Sequence, residues 1–178
     1  MSGAETIAGR TLLDDSGAEV ELGSLWAERP VALVFMRHFG CIFCREHAAD
    51  LNEAAGEVEA AGGSLAAIGL GTPAHAAEFR RMSGISYPLL VSEDTSVHEA
   101  IGLGRGNWTR VIGPQNIPGT IRALRKGHLA KRTGADMSQL GGTFVIDTAG
   151  RPVFEHRASK AADNAAVEDI LAALAAAA

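Results

Sequence analysis

Short apolar runs alternate along this chain with longer segments that mix apolar and polar positions. Residues 31–35 (VALVF) form a continuous apolar run after a proline, the pattern of a strand buried on both faces of a parallel sheet. Further runs of strand length cover residues 64–70 and 87–91. The pattern therefore predicts three strands, of which the first is central.

The segments between these runs have helical spacing and helix-ending residues. Helices are predicted over residues 41–61, 74–82 and 94–101, and a closing helix over residues 163–178. Thr72 and Pro73 supply a cap and a first-turn proline for the second of these helices. Strands alternating with helices predict an α/β fold.

Two hairpins flank this alternating unit. Residues 11–22 place turn-forming residues between two short apolar runs, and residues 143–154 repeat that pattern near the other end. A hairpin brings antiparallel strands to the sheet, so we expect a central mixed β-sheet flanked by helices. We expect one domain over residues 1–178, with an insertion at about residues 103–138.

Composition supports a packed core and excludes several classes of protein. The chain has 178 residues, of which 47% are apolar and 21% charged, as in ordinary globular domains. The first ten residues lack the basic start and apolar block of a secretory signal, and no apolar stretch approaches the ~20 residues that span a bilayer. We expect a cytoplasmic protein with no membrane or nucleic-acid partner.

Charge is distributed unevenly along the chain. Residues 100–135 contain seven bases and no acid, which leaves nine bases against 21 acids in the rest of the chain. A basic face on an acidic body can attract an anionic substrate or partner, although a plain solvated surface fits the same pattern. The candidate anion-binding residues are Arg105, Arg110, Arg122 and Arg125.

The two cysteines, Cys41 and Cys44, directly follow the first buried strand and a short turn that ends at Gly40. They fall in the first turn of the predicted helix, where unpaired backbone N–H groups lower thiol pKa values from ~8.5 to between about 3.5 and 7.5. Residues three apart on a helix share one face, so the pair can close into a disulfide. Positive charge nearby is expected to favour the thiolate further, from Arg37, His38, Arg45 and His47.

Three other interpretations compete with a redox pair. The cysteines could serve as small buried hydrophobic side chains. A zinc site needs about four ligands, and no third or fourth ligand stands at a familiar spacing, so we expect no metal. Residues 69–74 (GLGTPA) match a dinucleotide fingerprint, but a strand and helix precede them and a plain helix cap explains them. We therefore expect no cofactor.

Three stretches of the chain resemble a known family. They are residues 35–46 (FMRHFGCIFCRE), 87–91 (YPLLV) and 136–147 (DMSQLGGTFVID). The chain is similar here to peroxiredoxin-like proteins of the alkyl hydroperoxide reductase (AhpC/TSA) type and to the prostamide/prostaglandin F synthases. The resemblance implies a thioredoxin-like fold.

The resemblance also implies roles for individual residues. The peroxiredoxin pattern of proline, threonine and peroxidatic cysteine falls on Arg37, Cys41 and Cys44, so two of its three residues differ. As a thioredoxin-type site, Cys41 is the exposed attacking thiolate and Cys44 the resolving thiol. Gly142 and Thr143 stand where thioredoxins have a proline and a threonine opposite the cysteines.

Two classes of function follow from the cysteine pair. The first is a thiol-disulfide oxidoreductase, or a thiol-dependent peroxide or endoperoxide reductase, that a thioredoxin-like protein or a low-molecular-weight thiol regenerates. The alternative is a non-enzymatic binding or sensor protein, in which the pair switches a surface such as residues 108–132. The sequence leaves the oligomeric state open, a homodimer included.

Overall fold

The computed structural model describes residues 3–107, 111, 113–130 and 136–178. Its strands form a single sheet in the order β2-β1-β5-β4-β3-β6-β7. The strands are β1 (Thr11–Asp14), β2 (Glu19–Glu21), β3 (Val31–Phe35), β4 (Ser64–Leu70), β5 (Leu89–Ser92), β6 (Gly142–Ile146) and β7 (Pro152–Arg157). Strands β3, β4 and β5 are parallel, and the remaining pairs are antiparallel. The predicted mixed sheet with a hairpin at each edge is confirmed.

Helices cover both faces of the sheet. They are α1 (Gly3–Ile7), α2 (Ile42–Glu53), α3 (Ala55–Ala60), α4 (Pro73–Ser83), α5 (Ser96–Ala100), α6 (Ile117–Arg125) and α7 (Val167–Ala177), with 3-10 turns at Leu22–Trp26 and Pro114–Asn116. The single helix predicted over residues 41–61 is wrong in one respect. It breaks at Ala54, where ψ is 5°, just before the poor helix former Gly56.

The core has two parts, one on each face of the sheet. The larger packs the sheet against Leu51 of α2, Val58 of α3, Phe79 of α4 and Ile170 of α7. The smaller lies under α1, the 3-10 turn that holds Trp26, and α5. All five residues of β3 are buried because this strand is covered on both faces, as its apolar sequence predicts.

Strand β3 lies inside the sheet, but the middle position belongs to β4. The predicted cap of α4 is confirmed, since the Thr72 hydroxyl accepts a hydrogen bond from the His75 backbone N–H and Pro73 begins the helix. Part of the glycine-rich segment 69–74 is therefore the cap and first turn of α4. In the described ranges, no helix has the length and apolar character needed to cross a membrane.

Candidate active site

Cys41 and Cys44 lie together at the start of α2. Cys41 is the N-cap residue of the helix, and Cys44 lies in its first turn. The two residues are 3.2 Å apart, and both are reduced. The short loop from β3 ends at the carboxyl edge of the sheet, so the strand fixes where the helix and its first turn begin. Residues three apart on one helix face are thereby held within bonding reach.

Arg37 contacts both sulfur atoms from the loop that follows β3. Its backbone N–H donates to Cys44 Sγ at 3.4 Å, and its guanidinium Nη1 donates to Cys41 Sγ at 3.6 Å. Two backbone carbonyls from a distant part of the chain hold the same guanidinium. Nε donates to Gln139 O at 2.9 Å, and Nη2 donates to Met137 O. These hydrogen bonds hold the guanidinium charge of Arg37 beside Cys41, and they satisfy a side chain that is only 5% exposed.

The pKa values of the two thiols are shifted in opposite directions. The pKa of Cys41 is lowered to about 6, first by a hydrogen bond from Cys44 and then by the Arg37 charge and the N–H groups of Cys44 and Phe43, against the effect of burial. The same hydrogen bond, burial and the negative charge on Cys41 raise the pKa of Cys44 well above its ordinary value. The site therefore holds a thiolate at Cys41 beside a protonated thiol at Cys44.

The expectation that Cys41 is exposed is wrong for the reduced protein. Cys41 is 4% exposed and Cys44 is 6% exposed, and the preceding loop residues His38 and Phe39 are buried as well. Because so little of its surface is open to solvent, Cys41 requires local movement of the protein before a large substrate can reach it.

The expected positive charge from histidines is also absent. Burial, together with the charge of Arg37, lowers the pKa of His38 to about 4, and burial lowers the pKa of His47 to about 4. Both imidazoles are neutral near pH 7, so Arg37 supplies the positive charge at the sulfur atoms. His38 instead has a structural contact, since its Nδ1 accepts from the Gly40 backbone N–H at 3.2 Å.

Arg45 points away from the sulfur atoms. Its guanidinium stacks over the Phe79 ring at 5.6 Å and lies 4.0 Å from the Met82 sulfur. The sequence places Arg45 next to Cys44, but successive residues on a helix face different directions. The side chain therefore packs α2 against α4.

A small cavity lies beside Cys44. Its volume of about 10 Å³ matches a single water molecule. Gly142 and Thr143 line it from β6, where they pair with Phe35 and Val34 of β3. The structure thus brings these two predicted residues to Cys44. The other lining side chains include His47, His156, Asp163 and Asn164.

Two of the candidate anion-binding arginines already pair with carboxylates of the protein. Arg105 lies 3.5 Å from Glu99 and 3.3 Å from Asp136, and Arg122 donates to the buried Glu46 carboxylate at 2.7 Å. Arg125 is exposed on α6, and Arg110 lies outside the described residues, as do parts of the segment 108–132. Anion binding by these residues stays a prediction.

Several residues at the site carry no local sequence signal. Met137 and Gln139 act through their backbone carbonyls, a hundred positions after Arg37, and His156 and Asp163 reach the cavity from β7 and the loop after it. Within the residues placed by the structure, no group of three or more His, Cys, Asp or Glu side chains could hold a metal ion.

Comparison with known proteins places the chain among thiol-dependent redox proteins. A family described as "AhpC/TSA antioxidant enzyme" matches residues 50–160, a range that begins after both cysteines. Peroxiredoxin-like 2C of Mus musculus is 28% identical over 94% of this chain and 78% of its own length. A prostamide/prostaglandin F synthase of Salmo salar is 31% identical over 89% of this chain and 81% of its own length.

Solved structures share the fold. Peroxidoxin BcpB of Mycobacterium tuberculosis has a TM-score of 0.69 at 23% identity, over 94% of this chain and 92% of its own. Peroxiredoxin Q of Xanthomonas campestris has a TM-score of 0.71 at 18% identity, over 97% of this chain and 93% of its own. The fold is thus the thioredoxin-like fold of peroxiredoxins, and the chain belongs to the AhpC/TSA antioxidant enzyme family.

Proposed function

We propose that the protein is a thiol-dependent oxidoreductase in which Cys41 attacks the substrate and Cys44 resolves the intermediate. The observation that carries this proposal is the division of acidity between two thiols 3.2 Å apart, one lowered and one raised. The thiolate is the nucleophilic form of cysteine, and a neighbouring protonated thiol can close a disulfide onto it. The position of Cys41 at the helix N-cap and its lowered pKa both support this order.

The proposed cycle with a peroxide has three steps. The Cys41 thiolate attacks one peroxide oxygen, the O–O bond breaks, and a proton and the leaving oxygen form an alcohol or water while Cys41 becomes a sulfenic acid. Cys44 then attacks the Cys41 sulfur, and the S–O bond breaks with release of water. Two electrons from an external dithiol, or from two low-molecular-weight thiols, reduce the resulting disulfide.

The same pair suits a disulfide substrate. Cys41 then displaces one thiolate of the substrate to form a mixed disulfide, and Cys44 displaces the second. A peroxide or endoperoxide is supported by the AhpC/TSA family and by the prostamide/prostaglandin F synthase relatives. A disulfide is supported by the cysteine at position 41, where the peroxiredoxin pattern has threonine. A thioredoxin-like reductant, a cytoplasmic location and a homodimer remain predictions.

Turnover by single-cysteine variants tests the proposal. The wild type is expected to consume hydrogen peroxide or a small disulfide catalytically in the presence of dithiothreitol. Cys41→Ser should lose both the first oxidation and turnover, whereas Cys44→Ser should still be oxidised once at Cys41. The proposal fails if Cys44 is modified first, or if the wild type is oxidised without turnover. A change of partner affinity in place of turnover would support the sensor alternative.

A further inference from the structure

His47 lies on the same face of α2 as Cys44, one turn further along. Both residues line the same small cavity beside Cys44. The cavity has room for about one water molecule, and polar side chains form much of its wall. A proton on Cys44 therefore has a polar route that does not pass through Cys41.

The ring of His47 is prepared to accept a hydrogen bond. Its Nε2 is buried and has no hydrogen-bond partner among the described residues. The Ala165 backbone raises the pKa of His47, as a carbonyl that accepts from the ring does, and we assign this contact to Nδ1 because Nε2 has no partner. In that tautomer the ring carries its lone pair on Nε2. Since burial keeps the pKa of His47 near 4, this lone pair is available at neutral pH.

Charged groups around His47 offset only part of the effect of burial on its pKa. Asp50 and Glu46 on α2 raise that pKa, although Arg122 and Lys126 engage both carboxylates. From the loop after β7, Asp163 lies 3.1 Å from His156 Nε2 on the cavity wall, and His156 opposes protonation of His47. Arg37 also lines the cavity, and its guanidinium donates to Cys41 Sγ.

We propose that His47 accepts the Cys44 proton, through one water molecule held in the cavity, as Cys44 closes onto Cys41. This inference rests on the proposed function and supplies its missing base. Cys44 is held as a thiol by the Cys41 charge, so it needs a proton acceptor once Cys41 has been oxidised and that charge is gone. A base that acts during bond formation avoids a free buried thiolate.

The proton and electron count of the closing step is balanced. The Cys44 S–H bond breaks and its proton moves through the water to His47 Nε2, while the Cys44 sulfur forms the S–S bond. The Cys41 S–O bond breaks as a proton from solvent reaches the leaving oxygen, so water leaves with that electron pair. His47 then releases its proton to solvent, and the net proton count of the step is unchanged. In the mixed-disulfide case, the leaving thiolate takes the proton instead.

The test separates closure from the first oxidation. Reduced protein is mixed with excess hydrogen peroxide, quenched with acid at timed intervals and alkylated, and mass spectrometry then counts sulfenic acid at Cys41 and the Cys41–Cys44 disulfide. At high peroxide concentration the first step outruns closure, so closure becomes independent of peroxide. The variants are His47→Asn and His47→Gln, with His98→Asn as the control for loss of a buried neutral histidine outside the cavity.

The wild type and the His98→Asn control should close at a rate that is flat from about pH 6 to about pH 8, because His47 stays neutral there. In the His47 variants closure should slow about 100-fold near pH 7 and rise about tenfold per pH unit, as hydroxide replaces the base. The rate of the first oxidation should not change. Closure in the wild type should be slower in D2O than in H2O, and this measurement requires no variant.

Two results would overturn the inference while leaving the proposed function intact. They are a flat, unchanged closure rate in both His47 variants, and a wild-type closure rate without a solvent isotope effect. If the wild type forms no disulfide at all, the proposed function itself fails.

Discussion

Replacing Cys44 by alanine should raise the pKa of Cys41, because the hydrogen bond from Cys44 is the largest influence that lowers it. A hydrogen bond to a charged acceptor contributes about 1.5–3 kcal/mol, and about 1.4 kcal/mol corresponds to one pKa unit. The expected rise is about 1–2 units from a starting value of about 6. At pH 7 the thiolate fraction falls from about nine-tenths to between about one-half and about one-tenth.

The matched control is Cys44→Ser, whose hydroxyl keeps a hydrogen-bond donor at the same position. Each variant has Cys41 as its one remaining cysteine, since the chain contains two. The rate of alkylation by iodoacetamide, measured against pH, gives the pKa of Cys41 as its midpoint. Burial of Cys41 slows alkylation at every pH by the same factor, so it lowers the rates without moving the midpoint.

The two variants should differ in midpoint, with Cys44→Ala higher. Equal midpoints near pH 6 in both would refute the reasoning. The low pKa of Cys41 would then depend on Arg37 and the helix N–H groups, and the different roles proposed for the two cysteines would lose their physical basis.

Three further predictions concern charges around the site. Arg37→Met should raise the pKa of the attacking thiol by about 1–3 units, measured by the same alkylation profile, whereas Arg37→Lys should recover part of the shift; unchanged profiles would contradict this. Glu46→Gln should lower the free energy of unfolding in urea by about 1 kcal/mol by weakening its pairs with α6, and a wild-type midpoint would count against it. His38, His47 and His98 are buried and neutral in the folded protein, and burial lowers the pKa of each to about 4. The unfolded chain therefore binds more protons than the folded chain as pH falls from about 6.5 to about 4, and the free energy of unfolding should fall by up to ~4 kcal/mol per pH unit. Thermal melts across this pH range check the prediction, and a melting temperature that does not change with pH would contradict it.

Much of the fold follows from local sequence patterns. A five-residue apolar run after Pro30 predicts a strand covered on both faces, and β3 is buried at every position. Thr72 and Pro73 predict the start of α4 because a cap acts within one turn. The break of α2 at Ala54 is not predicted, because a single glycine such as Gly56 is tolerated within a helical pattern and tertiary packing decides whether the helix breaks there.

The site is predictable only where its parts are close in sequence. Cys41, Cys44 and Arg37 are found within eight residues, and their chemistry follows from a helix start. The burial of Cys41 and the neutrality of His38 and His47 depend on neighbours from distant elements, which no local spacing reveals. A carbonyl such as that of Gln139 acts without its side chain, so its residue type carries no signal at all.

The anchoring of Arg37 by the carbonyls of Met137 and Gln139 links the acidity of Cys41 to the completion of folding. A folding intermediate in which residues 137–139 have not yet packed lacks both anchors for the guanidinium. Its Cys41 then has only the local helix N–H groups and Cys44 to lower the thiol pKa. The full acidity of Cys41 therefore requires the packing of a segment that lies about a hundred positions away in the chain.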